Sequence, residues 1–152
     1  MPLLGKLIKK SIDVANEIFE EDKNPIEAQA EVLKNLLEKA KDTDFGKRYQ
    51  FNEILKSEDL TKSFRVSIPC FDYDRMFGEW WHKTVEGIPD VTWPGSPEYF
   101  ALSSGTTGAE SKRIPVTNEM IEAIRATGLK QVMSLSGYDL PDEFFQKGIL
   151  ML

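Results

Sequence analysis

Ser103-Ser104-Gly105-Thr106-Thr107-Gly108-Ala109-Glu110-Ser111-Lys112 decides how this chain reads. An apolar, strand-like run, Tyr99-Phe100-Ala101-Leu102, leads into it, and Arg113-Ile114-Pro115-Val116-Thr117 follows. Glycine lets a backbone bend close to a ligand, because no side chain blocks the approach. Hydroxyls and free backbone N–H groups donate to phosphate oxygens. A terminal lysine adds a mobile positive charge. These are the parts of a loop that holds a polyphosphate. The competing reading is an ordinary Ser/Thr/Gly-rich turn between strands.

Two familiar phosphate loops do not fit. The Walker A pattern would require a glycine where Glu110 stands. The dinucleotide fingerprint G-x-G-x-x-G would require one at Thr107. Ser-Ser-Gly-Thr-Thr-Gly, a short spacer and Lys instead resemble the phosphate loop of the acyl-adenylate-forming superfamily.

Working outward, the flanks narrow that resemblance. Thr43-Asp44-Phe45-Gly46-Lys47-Arg48-Tyr49-Gln50-Phe51 lies upstream, then Ile68-Pro69-Cys70-Phe71-Asp72-Tyr73-Asp74, then Val91-Thr92-Trp93-Pro94-Gly95-Ser96-Pro97. With Asn24-Pro25 and Ile114-Pro115-Val116-Thr117, this order resembles the auxin-responsive promoter family of acyl-acid-amido synthetases, which has bacterial members. The resemblance runs from about residue 24 to 152. Ala109-Glu110-Ser111 departs from the family's Gly/Pro-rich spacer, and Cys70 from its usual residue there.

The resemblance implies an ATP-dependent, Mg²⁺-assisted enzyme that adenylates a carboxylic acid and transfers the acyl group to an amino acid. Ser103, Ser104, Gly105, Thr106, Thr107, Gly108 and Lys112 are the implied phosphate-binding residues. No catalytic residue and no metal ligand is assigned. The adenine site, the magnesium carboxylate and the acceptor site are expected beyond Leu152, in the rest of a parent polypeptide. The implied fold class is α/β: residues 1–152 as the helix-rich N-terminal portion of an adenylate-forming large domain, without a second domain, and with the phosphate loop carried on a β-hairpin. Rival readings are an acyl-CoA or aryl-CoA ligase, a non-catalytic helical interaction module, and a membrane-surface adaptor.

Composition narrows the classes. The 152 residues suit one globular domain, and 41% hydrophobic content is enough for a core. Nineteen basic against 25 acidic residues leave a net charge of −6. No basic stripe stands out, so a nucleic-acid partner is not expected. An acidic chain that binds an anionic nucleotide must concentrate positive groups locally. A single cysteine, Cys70, excludes an internal disulfide and suggests a reducing cytoplasm; it reads as a small packed residue. No run of 18 apolar residues exists, so no membrane span is expected. The ending Lys147-Gly148-Ile149-Leu150-Met151-Leu152 has a buried-strand pattern with no closing turn, which suggests the N-terminal piece of a longer enzyme.

Local patterns predict the elements. Residues 3–20 carry an apolar helical stripe. Asn24-Pro25-Ile26-Glu27 starts a second helix whose core side is Ala30, Leu33, Leu36 or Leu37, and Ala40. Gly46 reads as permitting a turn, with Phe45, Tyr49 and Phe51 packing around it. A short helix is expected over 52–60. Phe64, Val66 and Ile68 alternate with polar residues and predict a strand that Pro69 closes. Asp72 caps a helix near 73–86, on which Trp80 and Trp81 face different surfaces. His82, the only histidine, and the pair Asp72 and Asp74 read as structural rather than catalytic or metal-binding. Thr117 caps a long helix to about 136, with Ile121, Ile124, Leu129, Val132 and Leu135 as its buried side and Gly128 as a point of close approach.

Overall fold

A computed structural model describes residues 7, 10, 11, 14, 24–103, 111–138, 140 and 141. Residues 23–120 form one compact unit, and the remainder of the chain a second. The expected helix over 3–20 and the expected strand at the chain's end lie mostly outside the described residues, although Leu7, Lys10, Ser11 and Val14 are helical.

The larger unit begins with helix α1, Pro25–Ala40. Asn24 caps it: its side-chain oxygen accepts from the Ile26 N–H at 3.0 Å, and Pro25 follows at the first helical position, where no N–H is needed. Of the two leucines left open by the spacing, Leu37 is the buried one, and it joins Ala40, Phe51 and Ile54 in the core. Leu36 is exposed.

Two short helices follow, α2 over Asp44–Arg48 and α3 over Phe51–Leu55. A helix leaves its first four N–H groups without intrahelical partners. In α2 all four are accounted for. Asp44 donates to the Asp90 carbonyl at 2.8 Å and Phe45 to the Val91 carbonyl at 2.9 Å. Gly46 donates to the Thr43 hydroxyl at 3.0 Å, and the cap residue Thr43 donates its own N–H to the Ala40 carbonyl at 3.1 Å. The Thr43 hydroxyl in turn donates to the Ala40 carbonyl at 2.7 Å. This corner corrects the reading of Gly46 as a turn residue. Gly46 is buried inside α2, and a methyl group there would collide with the Ala40 carbonyl. Glycine is needed for close approach.

The expected strand at 64–68 is a helix, α4, Leu60–Ser67. Five residues satisfy period two and period four equally well. Here Leu60, Phe64 and Ile68 pack against the core at a spacing of four, while Val66 is 81% exposed. Asp59 caps the helix, its Oδ1 accepting from the Lys62 N–H at 2.9 Å. Ile68, ahead of Pro69, has left the helical region, as residues before proline tend to. The short helix anticipated over 52–60 is thus the earlier α3 and the start of α4.

Asp72 caps α5, Tyr73–Met76, by accepting from the Arg75 N–H at 2.8 Å. The helix continues through a π-helical turn, Phe77–Trp81, into α6, His82–Val85. That turn carries buried Trp80 on one side and half-buried Trp81 on the other. His82 donates from Nδ1 to the Phe77 carbonyl at 3.0 Å, a structural contact across the wide turn. Phe45 is the hub of the aromatic packing, with ring centroids 4.7 Å from Tyr49, 5.1 Å from Trp80, and 5.9 Å from both Phe51 and Phe71. Cys70, expected to pack, is exposed.

The segment from Gly87 to Gly95 turns the chain toward the hairpin. Asp90 and Gly95 both have positive φ, 56° and 76°. The Asp90 carboxylate accepts from the Gly95 N–H at 2.7 Å, and the Asp90 N–H donates to the Gly95 carbonyl at 2.9 Å. Asparagine, aspartate and glycine tolerate this left-handed conformation best. The expected hairpin is present: β1, Tyr99–Ser103, pairs antiparallel with β2, Lys112–Val116. The described architecture is therefore helix-rich with a small two-stranded antiparallel sheet, consistent with the α/β class.

Thr117 starts helix α7, Asn118–Ser134, its hydroxyl accepting from the Met120 N–H at 3.2 Å. A short 3-10 turn, Leu135–Gly137, follows. The anticipated buried side does not form. Ile124 and Leu129 are exposed, and Ile121, Val132 and Leu135 are only half-buried. Among the described residues, nothing lies within 4 Å of a Cβ built on Gly128, so the expected close approach is not seen there. Among the described residues, no helix is long and apolar enough to cross a membrane.

The α2 corner carries the first prediction. Gly46→Ala should cost about 3 kcal/mol by forcing the methyl against a backbone carbonyl. Thr43→Val, which keeps the shape and loses both hydroxyl bonds, should cost about 1–2 kcal/mol. Urea unfolding of the two variants measures both, and Gly46→Ala must be the more damaging.

Candidate functional site

The ladder of the hairpin ends at the pair Ser103 and Lys112. The connection predicted to bind phosphate spans the residues between them. Ser104, Gly105, Thr106, Thr107 and Gly108 lie outside the described residues, while Ser103, Ser111 and Lys112 lie within them.

The register places the two ends of the site. Residues opposite each other across an antiparallel pair point to the same face. Ser103 and Lys112 therefore share a face with the pairs Ala101 and Ile114, and Tyr99 and Val116. Ser103 is half-buried and Lys112 is exposed. A hydroxyl and an ammonium thus emerge side by side where the loop leaves the sheet. Both are among the residues expected from the sequence to contact phosphate, and the ladder pairs them.

The group that holds this mouth in place is not legible in the sequence. Tyr73, in the first turn of α5, reaches the outer edge of β2. Its hydroxyl accepts from the Arg113 N–H at 2.9 Å and donates to the Arg113 carbonyl at 3.4 Å. In an antiparallel ladder, backbone groups alternate between facing the partner strand and facing away. The Tyr73 bonds show that Arg113 faces away from β1. Pro115, two residues on, has the same parity, so its missing N–H removes no bond between the strands. The Tyr73 ring stacks on Phe77 at 5.7 Å between centroids and 24° between planes, and meets Trp81 edge-on at 6.1 Å. The Lys112 Nζ lies over the same ring, 4.9 Å from its centroid. Only tertiary structure could show this contact, because residue 73 and residue 113 are forty positions apart.

A second anchor sits at the start of α7. The Trp93 indole N–H donates to Glu119 Oε2 at 3.2 Å, and the Lys39 Nζ reaches Glu119 Oε1 at 3.5 Å. This joins α1, the segment before β1 and the helix after β2. The Glu119 carboxyl is held below the usual carboxylate range, first by its own backbone N–H in the helix's first turn. Partial burial opposes that effect, and the Trp93 indole and the Lys39 ammonium add to it.

The described donor set, a hydroxyl and an ammonium at the mouth of a glycine-containing loop, suits phosphate oxygens rather than a cation. Among the described residues, no group of three or more His, Cys, Asp or Glu side chains could hold a metal ion. Asp72, one of the pair set aside as metal ligands, spends a carboxylate oxygen on capping α5.

Residues 14–152 match the GH3 family N-terminal domain. No curated protein and no solved structure matches the chain.

The Glu119 anchor makes a prediction about pH. A carboxyl whose folded pKa is depressed adds stability above its unfolded pKa, and that stability is lost as pH falls through the folded value. The group is largely solvent-facing, so the stability involved is small. A titration of the Trp93 indole N–H resonance should show its midpoint below that of an ordinary glutamate, and Glu119→Gln should abolish the transition.

Proposed function

The chain belongs to the auxin-responsive GH3 family of acyl-acid-amido synthetases, and on that premise we propose that its hairpin loop grips the phosphates of ATP while a carboxylic acid is adenylated. The observation that carries this reading is the pairing of Ser103 with Lys112 on one face of the hairpin. It puts a hydroxyl and an ammonium at the two ends of a loop rich in glycine and threonine.

In the reaction we propose, a carboxylate oxygen attacks the α-phosphorus of ATP. The bond to the bridging oxygen breaks, and pyrophosphate leaves with that electron pair. The acyl-adenylate formed is then attacked at its carbonyl carbon by an amino-acid amine. AMP leaves, the amine gives up a proton, and an amide results.

This chain's part is the first step. Negative charge grows on the departing pyrophosphate as the bond breaks. Donors already aimed at those oxygens stabilise it without reorganising at that moment. Ser103, Ser104, Thr106 and Thr107 supply hydroxyls or amides, Gly105 and Gly108 allow the backbone to curve toward the phosphates, and Lys112 supplies the positive charge. Mg²⁺, bound to the phosphates, would neutralise charge and orient the displacement; no ligand for it is assigned to this chain. A reducing compartment such as the cytoplasm suits a protein whose one cysteine is exposed and unpaired.

In the full-length parent polypeptide, replacing Thr106 and Thr107 together by Ala should lower acid-dependent pyrophosphate release by about 100-fold, the order seen when a preorganised donor is removed from a developing anion. Release at the unaltered rate would refute the assigned roles. Product analysis with an amino acid and a thiol acceptor both present should yield the amide. A thioester would move the chain's activity to the acyl-CoA ligase reaction.

A further inference from the structure

Tyr73 touches the edge of the candidate site, and the proposed reaction does not use it. Its hydroxyl takes both backbone groups of Arg113, at 2.9 Å and 3.4 Å. Its ring lies beneath the ammonium of the adjacent residue, Lys112. Phe77 and Trp81 fix the ring from its other sides. One residue therefore holds both the strand from which the lysine projects and the lysine's charged end.

We propose that Tyr73 is a positioning residue for Lys112. It keeps the ammonium on its ring at the mouth of the loop, and the ammonium leaves the ring for phosphate oxygens when a polyphosphate arrives. The proposal rests on the phosphate-binding reading of the loop and adds a device to it.

The energetics run in the required order. A cation over an aromatic face at an exposed site is weakly held. A charge-assisted contact between an ammonium and a phosphate oxygen is stronger. The ring is therefore a resting place that a phosphate can empty. Resting there has a use. A free lysine side chain samples many rotamers, and fixing it on arrival of the ligand costs entropy. A lysine already confined beside the mouth has lost part of that freedom. The hydroxyl bonds to Arg113 serve the same end, because they stop the strand end from fraying and carrying the lysine away.

The test uses the chain with ¹³Cε-labelled lysine, with the Lys112 signal assigned by its loss in Lys112→Arg. The Lys112 Hε protons should be shifted upfield by the Tyr73 ring in the wild type and in Tyr73→Phe, and not in Tyr73→Leu. Tyr73→Phe keeps the ring but loses the hydroxyl, so the Arg113 amide should exchange roughly fivefold faster. Addition of Mg·ATP, or of tripolyphosphate alone, should move the Lys112 signal back toward that of a free lysine.

A wild-type signal no different from Tyr73→Leu overturns the proposal. Should Tyr73→Leu not fold, an unchanged Arg113 exchange rate in Tyr73→Phe overturns it instead. Binding of Mg·ATP with the Lys112 signal still on the ring sinks the role of Tyr73 and leaves the phosphate reading standing. Failure of the chain to bind either Mg·ATP or tripolyphosphate removes both.

Discussion

The carbonyl oxygen of Ala40 sits at a closely packed corner of the larger unit. It accepts from the Thr43 N–H at 3.1 Å and from the Thr43 hydroxyl at 2.7 Å, and a Cβ on Gly46 would collide with it. This contact turns the chain from α1 into α2 within a few residues. The turn aims the N-terminus of α2 at the segment before the hairpin, where Asp44 and Phe45 find the carbonyls of Asp90 and Val91. Buried N–H groups without partners are costly. The two bonds therefore lock a loop that is distant in sequence onto the core, and Val91 follows it into burial at 1% exposure.

The site inherits its position from that lock. The segment held by Asp44 and Phe45 runs on through Trp93 into β1, so the first strand starts from a fixed base. Trp93 then ties forward to Glu119, at the head of the helix that leaves β2. Both ends of the hairpin are thus fastened outside the hairpin itself. A two-stranded sheet alone is marginally stable in water. Here its outer edge is also gripped by Tyr73, whose ring belongs to the stack with Phe77 and Trp81. The ladder ends at Ser103 and Lys112, where the connection proposed to bind phosphate begins and ends.

The misread elements share one cause. Phe64, Val66 and Ile68 alternate like a strand, yet the same stretch also places Leu60, Phe64 and Ile68 four apart. Which pattern wins depends on what each side chain can pack against. The core formed by Leu37, Phe51 and Ile54 accepts the second set and leaves Val66 in solvent. Gly46 reads as a turn glycine because it follows the end of α1, and the carbonyl that excludes a side chain there belongs to Ala40 of that helix. The stripe on α7 looked buried because periodicity identifies a face and says nothing of what covers it. Cys70, expected as a small packed residue, sits exposed.

Sequence alone determined the local devices. Asn24, Asp72 and Thr117 cap the helices they were expected to cap, because capping requires only a side-chain oxygen and an N–H two or three residues away. The hairpin and its family also follow from composition and order over short spans. Tertiary structure alone decided that Leu37 rather than Leu36 faces inward, that 60–67 is helical, and that Tyr73 meets Arg113 and Lys112 across forty residues. Those outcomes depend on which surfaces approach one another in space, and burial and close packing act between residues whose separation along the chain carries no trace of their contact.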